Sequence, residues 1–137
     1  MRNKYLEDLG LKYEQYGLNW PYYDTEDRGE YWAEQRELYG FDSRETWGMG
    51  ETFIEWLYSH CMMFKELASE VIDLSFHTIT YEGRTYTQAA VLDYIIKWTG
   101  EYLLATQGYD WEKQQEAAKH VQTACHLWAE MLFAMWW

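Results

Sequence analysis

The stretch Phe76-His77-Thr78-Ile79-Thr80-Tyr81-Glu82-Gly83-Arg84-Thr85-Tyr86-Thr87 decides the fold. Its β-branched and aromatic residues alternate, which suits a pleated, half-buried surface. Glu82-Gly83 offers a two-residue turn, so residues 76–86 are read as a small β-hairpin. On both sides the apolar period is helical instead. Upstream, Phe53, Trp56, Leu57, His60, Phe64, Leu67, Ala68 and Val71 share one face of a helix predicted over about Glu51–Val71. That reading puts His60 among the core residues and turns Tyr58 and Met62 toward the polar side. Downstream, Thr87 is placed to cap a helix through Val91, Ile95, Trp98 and Tyr102 to about Thr106, and Gly108 ends the run. Asp110 caps a last helix carrying Ala117, Val121, Ala124, Cys125, Trp128, Leu132 and Met135.

The N-terminal third is less regular. Tyr5, Leu6, Leu9, Tyr13 and Tyr16 have helical spacing over Lys4–Gly17, with Gly10 in the middle. Asn19-Trp20-Pro21 breaks the pattern. Asp24 or Thr25 caps a second helix running to about Tyr39, where Gly40 stops it. Asp42 and Glu45, three residues apart, resemble a capping box for a short turn. The fold class is therefore mainly α, with about four to five helices around an aromatic core and one hairpin near 75–86. Pro21 is the only proline, and no repeat or linker divides the chain. Residues 1–137 are expected to form a single domain, an acidic aromatic segment (1–48) packed on a helical core (49–137).

Charge and aromatic content narrow the function. Nine tryptophans, thirteen tyrosines and a formal charge of −12 in 137 residues describe a folded chain with an acidic skin. Such a skin argues against direct binding to nucleic acid or an anionic membrane and for a basic partner. Between Asp24 and Glu55 the acids are Asp24, Glu26, Asp27, Glu30, Glu34, Glu37, Asp42, Glu45, Glu51 and Glu55, against Arg28, Arg36 and Arg44. On the second helix Glu26, Asp27, Glu30, Glu34 and Glu37 share a face, with Tyr31, Leu38 and Tyr39 roughly opposite. Their spacing gives one charge per ~5 Å, whereas duplex DNA carries one per ~1.7 Å. One stripe is too sparse for a DNA mimic, so Glu51, Glu55 or the Asp42/Glu45 turn would have to add a second row. The plain alternative is a solvated helix face. Tyr22, Tyr23 and Trp32 lie in the same zone and either anchor a partner or staple the segment to the core.

Other chemistry finds little support. His60-Cys61 and Cys125-His126 invite zinc, but adjacent residues on a helix point about 100° apart and aim poorly at one metal. Cys61 with His77, or Glu55 with His60, could meet only through the tertiary fold. No phosphate loop, nucleophile elbow, H-E-x-x-H or paired C-x-x-C is present. The expectation is no enzyme, no metal and no cofactor. Met1-Arg2-Asn3-Lys4 leads into no apolar leader, and no apolar run approaches the ~20 residues of a membrane span, so a cytoplasmic protein with reduced thiols is expected. The end of the chain, Met131 to Trp137, is apolar all round. Phe133, Trp136 and Trp137 are candidates for self-association into a homodimer.

Three stretches carry a resemblance. They are Gly40-Phe41-Asp42-Ser43-Arg44-Glu45-Thr46-Trp47; Phe53-Ile54-Glu55-Trp56-Leu57-Tyr58-Ser59-His60 with Met63-Phe64-Lys65-Glu66; and Ile72-Asp73-Leu74-Ser75-Phe76-His77 with Tyr81-Glu82-Gly83-Arg84-Thr85-Tyr86-Thr87-Gln88. Over roughly Gly40–Ile96 the chain resembles small acidic proteins encoded by phages and mobile elements of Gram-positive bacteria. The resemblance implies a phage-type accessory protein acting in a bacterial host cell and transfers no functional residue. By analogy with anti-CRISPR proteins, the expected function is an inhibitor that binds a basic nucleic-acid-binding protein, such as a Cas effector, and competes with nucleic acid. The alternatives are a self-associating structural or adaptor protein, and a small metal-binding protein or enzyme.

Overall fold

A computed structural model describes residues 3–12 and 28–136. The elements are α1 (Lys4–Leu9), α2 (Gly29–Tyr39), α3 (Arg44–Trp47), α4 (Met49–Ala68), β1 (Thr78–Tyr81), β2 (Arg84–Thr87), α5 (Gln88–Gln107) and α6 (Trp111–Met131), with a 3-10 turn over Leu132–Ala134. The protein is mainly helical with one two-stranded antiparallel sheet, as the sequence predicts. The sixth helix is α3, the single turn that the sequence marks with Asp42 and Glu45.

The local signals at the two long helices act as expected. Thr87 Oγ1 accepts the Ala90 N–H at 3.1 Å, and Asp110 Oδ1 accepts the Lys113 N–H at 3.1 Å. Each satisfies one of the donors that a helix start leaves unpaired. In the hairpin, Glu82 and Gly83 both have positive φ (49° and 74°), the backbone twist that a two-residue hairpin turn needs. Ile79 lies opposite Tyr86 in register, and its side chain is buried among core residues that include Leu127 and Met131 of α6. The strands start later than the alternation suggests. Phe76 and His77 precede β1, and both are exposed.

The core lies where α4, α5 and α6 meet. Leu57 and Cys61 of α4, Leu92 and Ile95 of α5, and Ala124, Leu127 and Met131 of α6 are buried there, with aromatic rings including Phe64, Tyr94 and Trp128 packed around them. Ala117 and Ala124 are buried on α6, and small side chains let a helix approach its neighbour closely. A second cluster joins α1 to this layer through Leu6, Leu11, Tyr58 and Leu103. Gly100 makes the fit possible: a Cβ there would meet the Tyr58 ring at 3.2 Å and Leu9 at 3.3 Å. Asn3 caps α1 and also donates from Nδ2 to Ser59 Oγ at 2.9 Å. Gln107 holds the other end, accepting the Lys12 N–H and donating to the Gly10 carbonyl. Among the described residues no helix is long and apolar enough to cross a membrane.

Three expectations change. The first helix ends at Leu9, because Gly10 adopts the left-handed conformation (φ 105°) that closes a helix; Tyr13, Tyr16 and the break at 19–21 lie outside the described residues. The second helix starts at Gly29, and its expected caps Asp24 and Thr25 also lie outside them. The buried arc of α4 is rotated. Tyr58 is buried and Met62 packs against the second cluster, while Phe53, Trp56 and His60 are exposed; the helix also ends at Ala68, so Val71 lies beyond it in a turn, exposed. The cause is α1, which covers a side of α4 that a helix with one apolar stripe would leave to water.

Gln88 begins α5 and is fully buried, and its carboxamide makes no hydrogen bond within the described residues. A buried polar group without a partner is costly. Gln88→Met, nearly isosteric, should therefore stabilise the fold by about 1 kcal/mol. Thermal unfolding followed by circular dichroism should show the midpoint rising by about 3 °C; a lowered midpoint would contradict this account.

Candidate interaction surface

α2 buries none of its residues, so apolar packing does not fix it to the fold. Polar contacts do. Arg36 pairs with Asp42, and the Arg44 guanidinium lies 4.3 Å over the Trp32 ring. Arg44 also donates from Nε to Asp42 Oδ1 at 2.9 Å and from Nη2 to Asp42 Oδ2 at 2.8 Å. The Ser43 N–H donates to Gln35 Oε1 at 2.8 Å. Trp32, Gln35 and Arg36 are thus the inner face of α2. Glu30, Glu34 and Glu37 occupy the outer face and are exposed. Tyr31, Leu38 and Tyr39 are exposed too; by helical period Tyr31 and Leu38 border the acids and Tyr39 falls on the opposite side.

The acids expected to face a partner divide into groups. Glu30, Glu34 and Glu37 are available at the surface, and Glu45 and Glu51 are half-buried. Asp42 is not a surface acid. It is 3% exposed, and the two guanidinium groups, Arg44's hydrogen bonds above all, hold its carboxyl below the usual carboxylate range. Asp42 Oδ1 also accepts the Arg44 N–H at 3.1 Å and the Asp42 carbonyl accepts the Glu45 N–H at 3.0 Å, a turn into α3 in place of the expected capping box. Glu55 is not a surface acid either. It is 7% exposed, on the side of α4 that α1 covers. Tyr22, Tyr23, Asp24, Glu26 and Asp27 lie outside the described residues. At the far end, Phe133 is 92% exposed and Trp136 69%, while Trp137 lies outside the described residues.

The histidines stand on aromatic rings. His60 is exposed, not a core histidine; its ring stacks 4.2 Å from that of Trp56, and its Nδ1 is 2.8 Å from the Trp56 carbonyl oxygen. His77 meets the Phe76 ring edge-on, and His126 stacks on Tyr81. Cys61 is buried, and burial pushes its thiol up to about 12, far from a reactive thiolate. The adjacent His60 is exposed, so the two do not converge on one point. Burial also raises the Cys125 thiol. Among the described residues no three of His, Cys, Asp and Glu come together as metal ligands.

The sequence reading misses one cluster. Tyr94 Oη lies 2.8 Å from His120 Nδ1, His120 Nε2 lies 3.3 Å from Glu116 Oε1, and the His120 ring stacks 3.7 Å from that of Trp98. Tyr94 with Trp98, and Glu116 with His120, are each four residues apart on one helix. That double spacing is the signal. Burial raises the Tyr94 phenol, so it stays protonated and serves as a clip between α5 and α6.

Asp42 is the lock of α2. Because its carboxyl is lowered, its contribution is fully present above the ordinary value of 3.8 and is lost as pH falls through the lowered one. Asp42→Asn should cost about 2 kcal/mol at neutral pH. It should cut hydrogen-exchange protection of α2 amides about 30-fold while leaving α5 and α6 unchanged. Equal loss in all helices would mean that Asp42 supports the whole fold instead. Comparison with known proteins finds no family model, no curated protein and no solved structure that matches this chain.

Proposed function

We propose that this protein is a non-enzymatic inhibitor of a basic nucleic-acid-binding protein, a phage-type product whose first candidate target is a CRISPR–Cas nuclease in a bacterial host cell. The observation that carries the reading is the outer face of α2. Glu30, Glu34 and Glu37 are exposed there beside Tyr31 and Leu38, on a helix with no fully buried residue. A solubilising helix needs the acids but not the rings. Acids flanked by aromatic anchors fit a partner surface rich in lysine and arginine. The net charge of −12 would speed encounter with such a partner, and the attraction would weaken as salt rises.

The inhibitor acts as an ion-pairing edge, not as a copy of a duplex. Asp42 and Glu55 are taken up inside the fold, so they cannot supply the second row of charge that mimicry requires. The carboxylates of α2 would occupy lysines and arginines that otherwise hold phosphates, and the neighbouring rings would supply desolvated contact. Replacing Glu30, Glu34 and Glu37 together by Gln should weaken partner retention about tenfold, three exposed pairs at about 0.5 kcal/mol each. A tagged pull-down from lysate of a CRISPR-bearing Gram-positive host, read by mass spectrometry at low and high salt, measures this. Retention of a basic partner that neither salt nor the triple substitution reduces would end the reading.

A second reading has its own observation in the exposed Phe133 and Trp136, beside an exposed Leu132. Apolar side chains this exposed in one short stretch fit self-association through the C-terminal end. On that reading the wild type is a dimer in light scattering, and Phe133→Ser with Trp136→Ser converts it to a monomer. A monomeric wild type at micromolar concentration would exclude it.

A further inference from the structure

At its C-terminal end α2 turns through Gly40 into the rim of a cavity of about 400 Å³. That volume is within the range of specific ligand sites. Phe41, Glu45, Met49, Phe53, Trp56 and Trp128 line it. Phe53 and Trp56, one turn apart on α4, have rings inclined by only 14° with centroids 6.2 Å apart. Trp128 of α6 stands across both, at 67° and 5.8 Å to Phe53 and at 79° and 6.1 Å to Trp56. Three rings thus form an aromatic corner. Aromatic faces attract cations through their quadrupole.

Glu45 adds a carboxyl to a lining that is otherwise apolar except for Thr46 and Thr52. Burial, and then the charge of Asp42, raise it, against the smaller lowering effects of a hydrogen bond from the Asp42 backbone and of the Arg44 and Arg36 charges. The neighbouring guanidinium groups of Arg36 and Arg44 are engaged with Asp42. A further cation beside Glu45 would replace the hydration it lacks. The fold already uses this pairing once, in the Arg44 guanidinium stacked over Trp32 and bound by Asp42. The exposed Tyr39 lies with its ring centroid 6.5 Å from that of Phe41, which lines the cavity, so the C-terminal end of α2 adjoins it.

We propose that this cavity is the anchor site for an arginine side chain of the partner, its guanidinium against the aromatic corner and paired with Glu45. The inference rests on the reading of the partner as a basic protein. Arginine fits better than lysine because a planar, weakly hydrated guanidinium stacks on rings and gives up water at lower cost than an ammonium group. A neutral apolar occupant would desolvate the half-buried carboxyl further and bring no charge to offset that.

The probe is N-acetyl-arginine methylamide, titrated into the full chain while the indole N–H resonances of Trp56 and Trp128 are followed by NMR. The lysine and norleucine analogues are controls. A saturable shift is expected with Kd of about 1–10 mM, at least about fivefold tighter than for lysine and absent for norleucine. Glu45→Gln should weaken binding about tenfold. Met49→Lys, a change at an exposed position, should abolish it by placing a cation at the mouth. The triple Gln variant of α2 should bind the probe like the wild type. No saturable shift, an equal response to the lysine or norleucine compound, or an inert Met49→Lys would overturn the proposal. Retention of a basic partner that Met49→Lys leaves intact sinks the pocket assignment alone. Probe binding with no basic partner retained sinks the partner reading alone.

Discussion

The packing of α5 on α6 is the contact on which everything else is placed. The two helices are joined by only residues 108–110 and meet through Ile95, Ala124, Leu127 and Met131, among others. α4 lies along this pair through Leu57 and Cys61, and the hairpin pins its buried Ile79 to the same core. α1 then covers α4 and α5 through Tyr58 and Leu103. Apolar burial stabilises this assembly, while hydrogen bonds such as the Tyr94–His120 clip fix how the helices are seated. Thr99 is accommodated within the same core because its hydroxyl donates to the Ile95 carbonyl at 2.6 Å.

α2 obeys a different physics. Among the described residues it is held by one buried carboxylate, two guanidinium groups and the half-buried Trp32 ring, and it leaves Tyr31, Leu38 and Tyr39 in water. An element fixed this way can detach locally without loss of the core. The molecule is thus divided into a packed body and an edge whose acids are not consumed by folding. The aromatic corner of Phe53, Trp56 and Trp128 is built from α4 and α6 of the packed body.

Four histidines on four aromatic rings follow from a chain with 20% aromatic content. Stacking covers an imidazole's face and leaves its ring nitrogens to separate contacts, as with His60 Nδ1 at the Trp56 carbonyl and His120 between Tyr94 and Glu116. The buried thiol of Cys61 belongs to the same pattern of reactive groups absorbed into packing.

The sequence by itself determined what short-range sterics and capping control. Thr87 and Asp110 as helix caps, Glu82-Gly83 as the hairpin turn and Gly40 as a helix stop each follow from the residue and its immediate neighbours. The outward stripe of Glu30, Glu34 and Glu37 follows from helical period alone. What the tertiary structure decided was how much of each face is covered. One apolar stripe on α4 misplaces Tyr58, Met62 and Glu55, because the periodicity of a helix does not reveal that a second helix lies on its flank. Asp42 reads as one more acid in a row of ten, and only the approach of Arg36 and Arg44 turns it into a buried lock. The aromatic corner needs Trp128 beside Phe53, 75 positions away in the sequence. Contacts of that range depend on how whole helices pack, which no local pattern encodes.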